Sequence, residues 1–290
     1  MSDVPVGIVV GVDGSPSSRL AAQWAAQEAK ARDLPVLLAA AYIVPQFLYA
    51  EGMVPSRAMF EELEGQAQGF IDDAAAAIRE VTTEVELMQQ LHEGSPISML
   101  LELSKEADMV VIGSRGLGGI AGALLGSVSA SLVGHAHCPV VVLRDDMDLA
   151  AEHNRIVVGA DGSPVSALAV QTAYQEADAH GSELVAVNAW LDRAVASSLA
   201  GMNLSNLDWE QAKAEQRQVV QEELEKYDDD YESITPQIVI RRESPEMALA
   251  EVGKGTRMIV VGSHGRGGFT GMLLGSTSVS YTHLTLPTSD

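Results

Sequence analysis

The feature that most constrains the fold is an internal repeat that runs along the chain. The segment GIVVGVDGSP, Gly7 to Pro16, returns as RIVVGADGSP, Arg155 to Pro164. A second pair of similar segments, Met109 to Ser129 and Met258 to Ser278, keeps nearly the same separation. Distant anchors that share one spacing indicate a tandem duplication. The 290 residues also exceed what one hydrophobic core usually supports, so two domains are expected.

The boundary between the copies is predicted at residues 145–154, a polar and acidic stretch between two apolar runs. We expect a first domain over residues 1–147 and a second over residues 154–280. Within each copy, short apolar runs alternate with helical patterns, which is typical of a parallel sheet with crossover helices. The predicted strands are 8–12, 36–44, 84–91, 109–112 and 140–143 in the first copy, and 156–160, 183–190, 237–241 and 258–261 in the second. The predicted helices are 16–31, 57–80, 96–105 and 127–135, and then 164–180, 208–226 and 245–252.

Composition narrows the class of protein. Hydrophobic residues make up 47% of the chain and aromatic residues only 4%, so the core is expected to consist of alanine, valine, leucine and isoleucine. The net charge of -22 disfavours nonspecific binding to nucleic acid or to anionic membranes. Cys138, the one cysteine, cannot form an internal disulfide. We expect a cytoplasmic protein without a leader or a membrane span.

Each copy carries a glycine-rich loop directly after its fourth predicted strand. The first copy has GSRG at residues 113–116, nine further residues, and GS at 126–127; the second has GSHG at 262–265 and GS at 275–276. Ligands bind at the carboxyl ends of strands in open α/β sheets. Glycines let the backbone approach an anion, and the next helix adds N–H groups that favour negative charge. The pattern predicts a polyphosphate site in each copy.

Other interpretations of these loops are weaker. One interpretation is that both loops are simple flexible turns. The nine-residue gap that occurs in both copies disfavours this interpretation. A Walker-type phosphate loop requires Gly-Lys-Ser/Thr, and neither loop contains a lysine. A dinucleotide fingerprint fits residues 116–121, yet it follows the fourth strand instead of the first, and Thr270 breaks it in the second copy.

Asp13 and Asp161 follow the first predicted strand of their copies, at the same edge as the glycine loops. An aspartate before Gly-Ser-Pro is an ordinary turn former. It is equally able to accept hydrogen bonds from a hydroxyl or amino group of a ligand. The repeat does not separate these two roles.

At these motifs the chain resembles a tandem-domain universal stress protein of the ATP-binding class, of the kind common in actinobacteria. Both copies match the family pattern Gly-x-x-Gly, nine residues, Gly-Ser/Thr, and the resemblance covers about residues 5 to 280. It implies two tandem copies of an adenine-nucleotide α-hydrolase-like (Rossmann-like) domain with a five-stranded parallel sheet. It also implies one ATP per copy, with Mg²⁺ as its companion ion. Fifth strands that pair edge to edge would give a homo-oligomer such as a dimer, or an internal pseudo-dimer.

The resemblance further implies which residues contact the nucleotide. Asp13 and Asp161 would lie at the adenine and ribose, with Gly11 and Gly159 beside them, and Ala41 and Ala189 would line the adenine pocket. The ribose and phosphates of the first copy would be held by Gly113, Arg115, Gly116, Gly119, Gly126, Ser127 and Ser129. Their counterparts in the second copy are Gly262, His264, Gly265, Gly268, Gly275, Ser276 and Ser278.

Other polar clusters receive structural interpretations. His135, His137 and Cys138 have the composition of a metal site, but the second copy replaces this stretch and a helix end is a favourable place for histidine. We interpret the acidic run at residues 227–232 as a solvated helix end rather than as a cation site. We expect no resident metal in either cluster.

Three classes of function follow. The first is an ATP-binding regulator of a stress or growth response, whose downstream partner the sequence does not name. The second is a slow ATPase or phosphotransferase that uses the same pockets: the loops offer Arg115, His264 and Arg266, but no general base is evident and no catalytic residue is predicted. The third is a dimerisation scaffold with vestigial pockets, which would bind no nucleotide.

The repeat is lost at Tyr281. The first copy continues after Ser129 into a helix and the apolar strand Val140–Leu143, whereas the second continues into YTHLTLPTSD. The tail at residues 281–290 is atypical and is interpreted as non-native sequence, with a natural shortened end as the alternative. The second sheet is therefore expected to lack its last strand.

Overall fold

Two α/β units make up the chain, and a computed structural model describes residues 6–44, 56–117, 125–144, 147, 149, 154–189 and 209–263. The units extend over Met1–Leu149 and Ala150–Asp290. Each consists of parallel strands connected by helices. Among the helices of the described residues, none combines the length and the apolar character needed to cross a membrane.

The first unit alternates strands and helices along its whole length. Its strands are β1 (Ile8–Gly11), β2 (Val36–Tyr42), β3 (Leu87–Glu93), β4 (Met109–Gly113) and β5 (Val140–Leu143), and its helices are α1 (Pro16–Arg32), α2 (Arg57–Val81), α3 (Pro96–Leu103) and α4 (Ser127–His135). The sheet order is β3-β2-β1-β4-β5. All pairs are parallel, with Ile8 opposite Val36 in β2 and opposite Met109 in β4. The predicted fold class is confirmed.

The second unit repeats this arrangement. Its strands are β6 (Arg155–Gly159), β7 (Glu183–Ala189), β8 (Gln237–Arg241) and β9 (Met258–Val260), and its helices are α5 (Pro164–His180), α6 (Trp209–Leu224) and α7 (Pro245–Val252). The order β8-β7-β6-β9 matches the first four strands of the first unit. The described part of this unit thus has four strands against five, which agrees with the predicted shorter second sheet. Residues 264–290, including the tail, lie outside the described residues.

Helix starts follow a simple local rule in both units. Ser15 precedes Pro16 and its hydroxyl accepts the N–H of Ser18, and Ser163 caps α5 on Ser166 in the same way. Serine accepts an otherwise unpaired N–H, and proline at the first helical position has none to satisfy. The predicted cap at Ser95 is also present, on the N–H of Ser98.

The third strand begins later than predicted. The prediction was 84–91, whereas β3 begins at Leu87 and ends at Glu93. Helix α2 continues through Val81, and the hydroxyl of Thr82 accepts the N–H of Glu84 in the turn that follows. The chain needs those residues to turn, so pairing with β2 starts three residues later.

Helices cover both faces of the first sheet. Helices α1 and α2 pack on one face, with Ile71 and Ile78 of α2 almost fully buried. Helices α3 and α4 pack on the other, where Met99, Leu100 and Leu132 meet the strands. Small and branched aliphatic residues fill the core, as the low aromatic content predicts.

We expect Ile71→Ala to destabilise the first unit by about 2 to 5 kcal/mol, because removing a fully buried branched side chain leaves a cavity. Native-state hydrogen exchange of the β2 amides measures this unit by itself. Val81→Ala on the same helix is the matched control, since Val81 is 38% exposed and its loss should change stability little. Equal protection of the β2 amides in both variants would contradict this account of the core.

Candidate functional site

A cleft of about 440 Å³ opens at the carboxyl edge of the first sheet. It lies where the strand order reverses: β1 is followed in sequence by β2 on one side, and β4 lies on the other. Connections leave such neighbouring strands toward opposite faces, so a crevice forms between them. The sequence placed Asp13 and the glycine loop at this edge, and the strand order makes them neighbours.

The structure brings most of the predicted first-copy residues together in this cleft. Those that line it are Gly11, Asp13, Ala41, Gly113, Arg115, Gly116, Gly126, Ser127 and Ser129. Gly119 lies outside the described residues. One end of the cleft is thus formed by loop backbone, a carboxylate and hydroxyl groups.

The other wall is apolar, and of its residues only Ala41 was predicted. Ala39 joins Ala41 on β2, Ile112 lies on β4, and α3 contributes Pro96, Met99 and Leu100. A signal for α3 existed in the sequence, because its Ser-Pro start follows a strand at the same edge of the sheet. Which face that helix would cover is decided only by packing.

The Asp13 carboxylate connects the turn after β1 with the glycine loop after β4. Its Oδ1 accepts the N–H of Ser15 at 3.1 Å and the hydroxyl of Ser15 at 2.6 Å. Its Oδ2 accepts the N–H of Leu117 at 3.1 Å. The carboxylate therefore shapes its own turn and also holds the glycine loop, so it is more than the ordinary turn former considered above.

Serine hydroxyls hold the same loop from two sides. The Ser17 hydroxyl donates to the carbonyl of Arg115 at 2.5 Å, from the first turn of α1. From α4, the Ser129 hydroxyl donates to the carbonyl of Gly113 at 2.9 Å. Ser129 is only 3% exposed, so its hydroxyl supports the loop from below. The described start of the loop, residues 113–117, is therefore held by side chains of its own unit before any ligand binds.

The glycines of the motif serve different purposes. A Cβ on Gly113 would collide with Ser17, and a Cβ on Gly116 would collide with the Asp13 carboxylate. Packing requires glycine at position 113, because the clash there includes the backbone of Ser17. At position 116 a side chain would push the Asp13 carboxylate away from its hydrogen bonds with Ser15 and Leu117. A Cβ on Gly126 would only reach ordinary contact distance, with its closest neighbour, the carbonyl oxygen of Ser114, at 3.5 Å. The described residues around Gly126 therefore do not require glycine there, and they leave room for a group from outside.

Helix α4 begins without a side-chain cap. Gly126 is its N-cap residue and offers no side chain to the N–H groups of the first turn. In contrast, serine hydroxyls cap α1, α2, α3, α5 and α7. Gly126, Ser127 and Val128 of this helix start line the cleft, and a helix start of this kind favours an anion.

The second unit presents the equivalent first half of the site. Gly159, Asp161, Ala189 and Gly262 end or follow β6, β7 and β9 at the carboxyl edge. The Asp161 carboxylate accepts the N–H of Ser163 at 2.9 Å, as Asp13 does with Ser15. The remaining predicted residues, His264, Gly265, Gly268, Gly275, Ser276 and Ser278, lie outside the described residues.

The histidine and cysteine cluster of the first copy has local partners. His135 Nδ1 lies 2.9 Å from the carbonyl of Ser131, and the N–H of His137 donates to the Ser104 hydroxyl. Cys138 packs against the apolar cluster beneath α3 and α4, and burial raises the pKa of its thiol to about 11.

We expect Asp13→Ala to loosen the glycine loop, because the N–H of Leu117 loses its acceptor. Hydrogen exchange at Leu117 should accelerate at least tenfold without added ligand. Asp161→Ala, the equivalent change in the second copy, is the matched control and should leave Leu117 unchanged. Equal exchange at Leu117 in the wild type and in Asp13→Ala would show that the carboxylate does not hold the loop.

Comparison with known proteins identifies the family. Residues 7–144 and 152–285 each match the model of the Universal stress protein family. Universal stress protein Rv1996 of Mycobacterium tuberculosis is 37% identical over 289 residues, which cover 94% of this chain and 90% of that protein. Universal stress protein Rv2005c of the same species is 38% identical over 291 residues, with 96% and 93% covered.

A solved structure agrees with this result at the level of the fold. The crystal structure of a universal stress protein from Archaeoglobus fulgidus superposes with a TM-score of 0.67 at 20% identity, covering 96% of this chain and 92% of that one. The chain therefore belongs to the universal stress protein family, and each of its two copies matches the family model.

Proposed function

We propose that this chain is an ATP-binding regulator, in which nucleotide occupancy sets a conformation or partner surface that a stress or growth response reads. The observation that supports it most is the cleft at the β1–β4 crevice, with an apolar wall at one end and an uncapped helix start at the other. A nucleotide needs both surfaces in one pocket: an apolar wall for its base and N–H donors for its phosphates, with the sugar between them. The site residues named in the sequence analysis, in both copies, are part of this proposal.

The size and lining of the cleft fit such a ligand. Its volume of about 440 Å³ falls within the range of ~300 to 1,000 Å³ usual for small-molecule sites. The adenine would lie against Ala39, Ala41 and Leu100, and the ribose would lie near Asp13. The phosphates would face the backbone of Gly116, Gly126 and Ser127.

Mg²⁺ would be bound mainly through the nucleotide. Asp13 is the one carboxylate among the lining residues of the described cleft, and its oxygens already accept hydrogen bonds from Ser15 and Leu117. Mg²⁺ often keeps several water ligands and binds through substrate phosphates. In this role it offsets phosphate charge on a chain whose net charge is -22.

Assembly and location follow from the same proposal. A protein that responds to ATP is expected in the cytoplasm, where ATP is made. Strand β5 is an edge of the first sheet, so it can pair with a fifth strand of another copy in a homo-oligomer.

The decisive test is a titration of nucleotide-stripped protein with ATP, followed by calorimetry. Two equivalent motifs predict a stoichiometry near two per chain. Gly116→Val should remove one site, because a branched side chain there collides with Asp13 and displaces the loop. Gly265→Val should remove the other, as the repeated motif predicts. Folded protein that binds no ATP would favour the scaffold function with vestigial pockets.

A milder substitution separates ligand contact from folding. We expect Gly126→Ala to weaken ATP binding to the first site by at least tenfold, because the added methyl group would occupy space that the phosphates need. The loss of stability should be no more than about 1 kcal/mol, the cost of alanine in place of glycine at an N-cap. Gly69→Ala on α2 is the matched control: a Cβ there meets open space, and affinity should not change. Undiminished affinity in Gly126→Ala would contradict the assignment of this end of the cleft to phosphates.

Slow ATP hydrolysis is the second candidate, and Arg115 favours it because it lines the cleft near the proposed phosphates. A guanidinium can stabilise charge on a transferring phosphoryl group, but hydrolysis also needs an oriented water. We expect turnover far below the ~1 to 1,000 per second of typical enzymes. Release of inorganic phosphate measures it. A rate above about 1 per second that vanishes in the Asp13→Ala, Asp161→Ala double variant would establish the enzyme instead.

A further inference from the structure

The turn that carries Asp161 rests on a buried carboxylate. Glu223 of α6 is only 3% exposed. Its Oε2 accepts the N–H of Gly162 at 3.2 Å, and its Oε1 accepts the hydroxyl of Ser166 at 3.0 Å. The same Ser166 oxygen accepts the N–H of Asp161 at 3.0 Å. Two successive N–H groups of the turn are therefore held by Glu223, one directly and one through Ser166.

In the first copy, the described residue that packs behind the equivalent turn is uncharged. The ring of Phe70 on α2 packs against Gly14, so closely that a Cβ on Gly14 would collide with it. Ser18, the counterpart of Ser166, donates its hydroxyl to the carbonyl of Ser15 within its own helix start. In both copies the aspartate carboxylate accepts the N–H of the serine two residues later. The side chain packed behind the turn is the aromatic Phe70 in the first copy and the ionisable Glu223 in the second.

A second side chain extends the polar support in the second copy. Asn188 on β7 is 3% exposed, and its amide donates to the carbonyl of Ala160 at 2.8 Å, directly before Asp161. The first copy has Ala40 at this position of the repeat, which offers no hydrogen bond. The segment 160–162 is thus held by side chains at three successive residues.

The surroundings of Glu223 favour its neutral form. Burial raises the pKa of this carboxyl above its ordinary value of 4.5, the negative charge of Asp161 raises it further, and the hydrogen bonds from Ser166 and Gly162 oppose the shift. Among the described residues, the other titratable groups that face it are Lys226, whose positive charge lowers the pKa, and Tyr227, which also follows α6. Helix α5 contributes the neutral hydroxyl of Ser166.

We propose that Glu223 is a positioning residue that makes nucleotide binding by the second copy depend on pH, while the first copy lacks this dependence. The inference rests on the proposed function. An ionised carboxylate accepts both donors with charge-assisted bonds, whereas a protonated carboxyl accepts them more weakly and carries a proton that needs an acceptor. Protonation therefore loosens the turn and the position of Asp161.

The direction of the effect follows from the sign of the shift. Because the pKa of Glu223 is raised, protonation begins at a higher pH than for an exposed glutamate. Binding at the second site should weaken as the pH falls toward the acid range and level off at higher pH. The Phe70 ring does not titrate, so the turn at Gly14 should show no such change.

The first experiment needs no nucleotide. Hydrogen exchange of the full chain is measured between pH 5 and pH 8 and corrected for intrinsic rates. The Gly162 amide should gain protection at least threefold as the pH rises, and Glu223→Gln should remove that dependence. Glu222→Gln, an exposed neighbour on the same helix, is the matched control and should behave as wild type. The Gly14 amide should be insensitive to pH in every variant.

The second experiment measures ATP binding to the second site alone, in the Gly116→Val background. The Kd should be at least threefold weaker at pH 5.5 than at pH 8. With Glu223→Gln added, the ratio of the two Kd values should fall to the value set by the nucleotide and by His264 of the predicted loop, which both titrate in this range. His264→Asn in both backgrounds removes the histidine contribution. Should Glu223→Gln fail to fold, Ser166→Ala removes the link to Asp161 and should reduce the pH dependence, while the direct bond from Gly162 to Glu223 remains.

The outcomes separate the two proposals. Gly162 protection with the same pH dependence in wild type and Glu223→Gln overturns the role of Glu223, whatever the protein binds. Absence of ATP binding at both sites of the wild type overturns the proposed function, while the exchange data still decide whether Glu223 holds the turn.

Discussion

The carboxylate of Asp13 connects two parts of the chain that are distant in sequence, and the first site depends on that connection. One oxygen shapes the turn after β1, and the other accepts an N–H from Leu117 after β4. The connection exists because β1 and β4 are adjacent in the sheet. Ser17 and Ser129 then hold the same loop by its carbonyl groups. A loop held this way pays little of the ordering cost when a ligand binds.

The charge of the chain sets a second constraint on the site. With a net charge of -22, the molecule as a whole repels an anionic ligand. For the nucleotide proposed above, attraction must come from groups close to its phosphates, where screening by water and salt is weaker. The uncapped N–H groups at the start of α4 and the Arg115 side chain are such groups in the first cleft. The low lysine and arginine content of the chain is compatible with anion binding for this reason.

The two copies share the turn that carries the aspartate and differ in the side chain that supports this turn. Both retain the Asp-Gly-Ser-Pro turn and a serine-capped helix. Behind the turn, Phe70 in one copy and Glu223 in the other perform the same supporting role with opposite chemistry. Burying an ionisable group costs free energy unless its hydrogen bonds are satisfied. The second copy meets that cost with Gly162 and Ser166, and thereby gains a group that responds to pH.

The sequence by itself determined the duplication, the alternation of strands and helices, the Ser-Pro helix starts and the loop motifs, because these depend on residues close together in the chain. Only the tertiary structure decided the strand order, the apolar wall of Met99 and Leu100, and the later start of β3 at Leu87. It also distinguished Gly113 and Gly116, where a side chain would collide with Ser17 or Asp13, from Gly126, where it would not. Such distinctions depend on atoms contributed by segments far apart in sequence, and the same is true of Glu223 beneath Gly162. A local sequence pattern does not predict those neighbours, because only packing brings them within hydrogen-bonding distance.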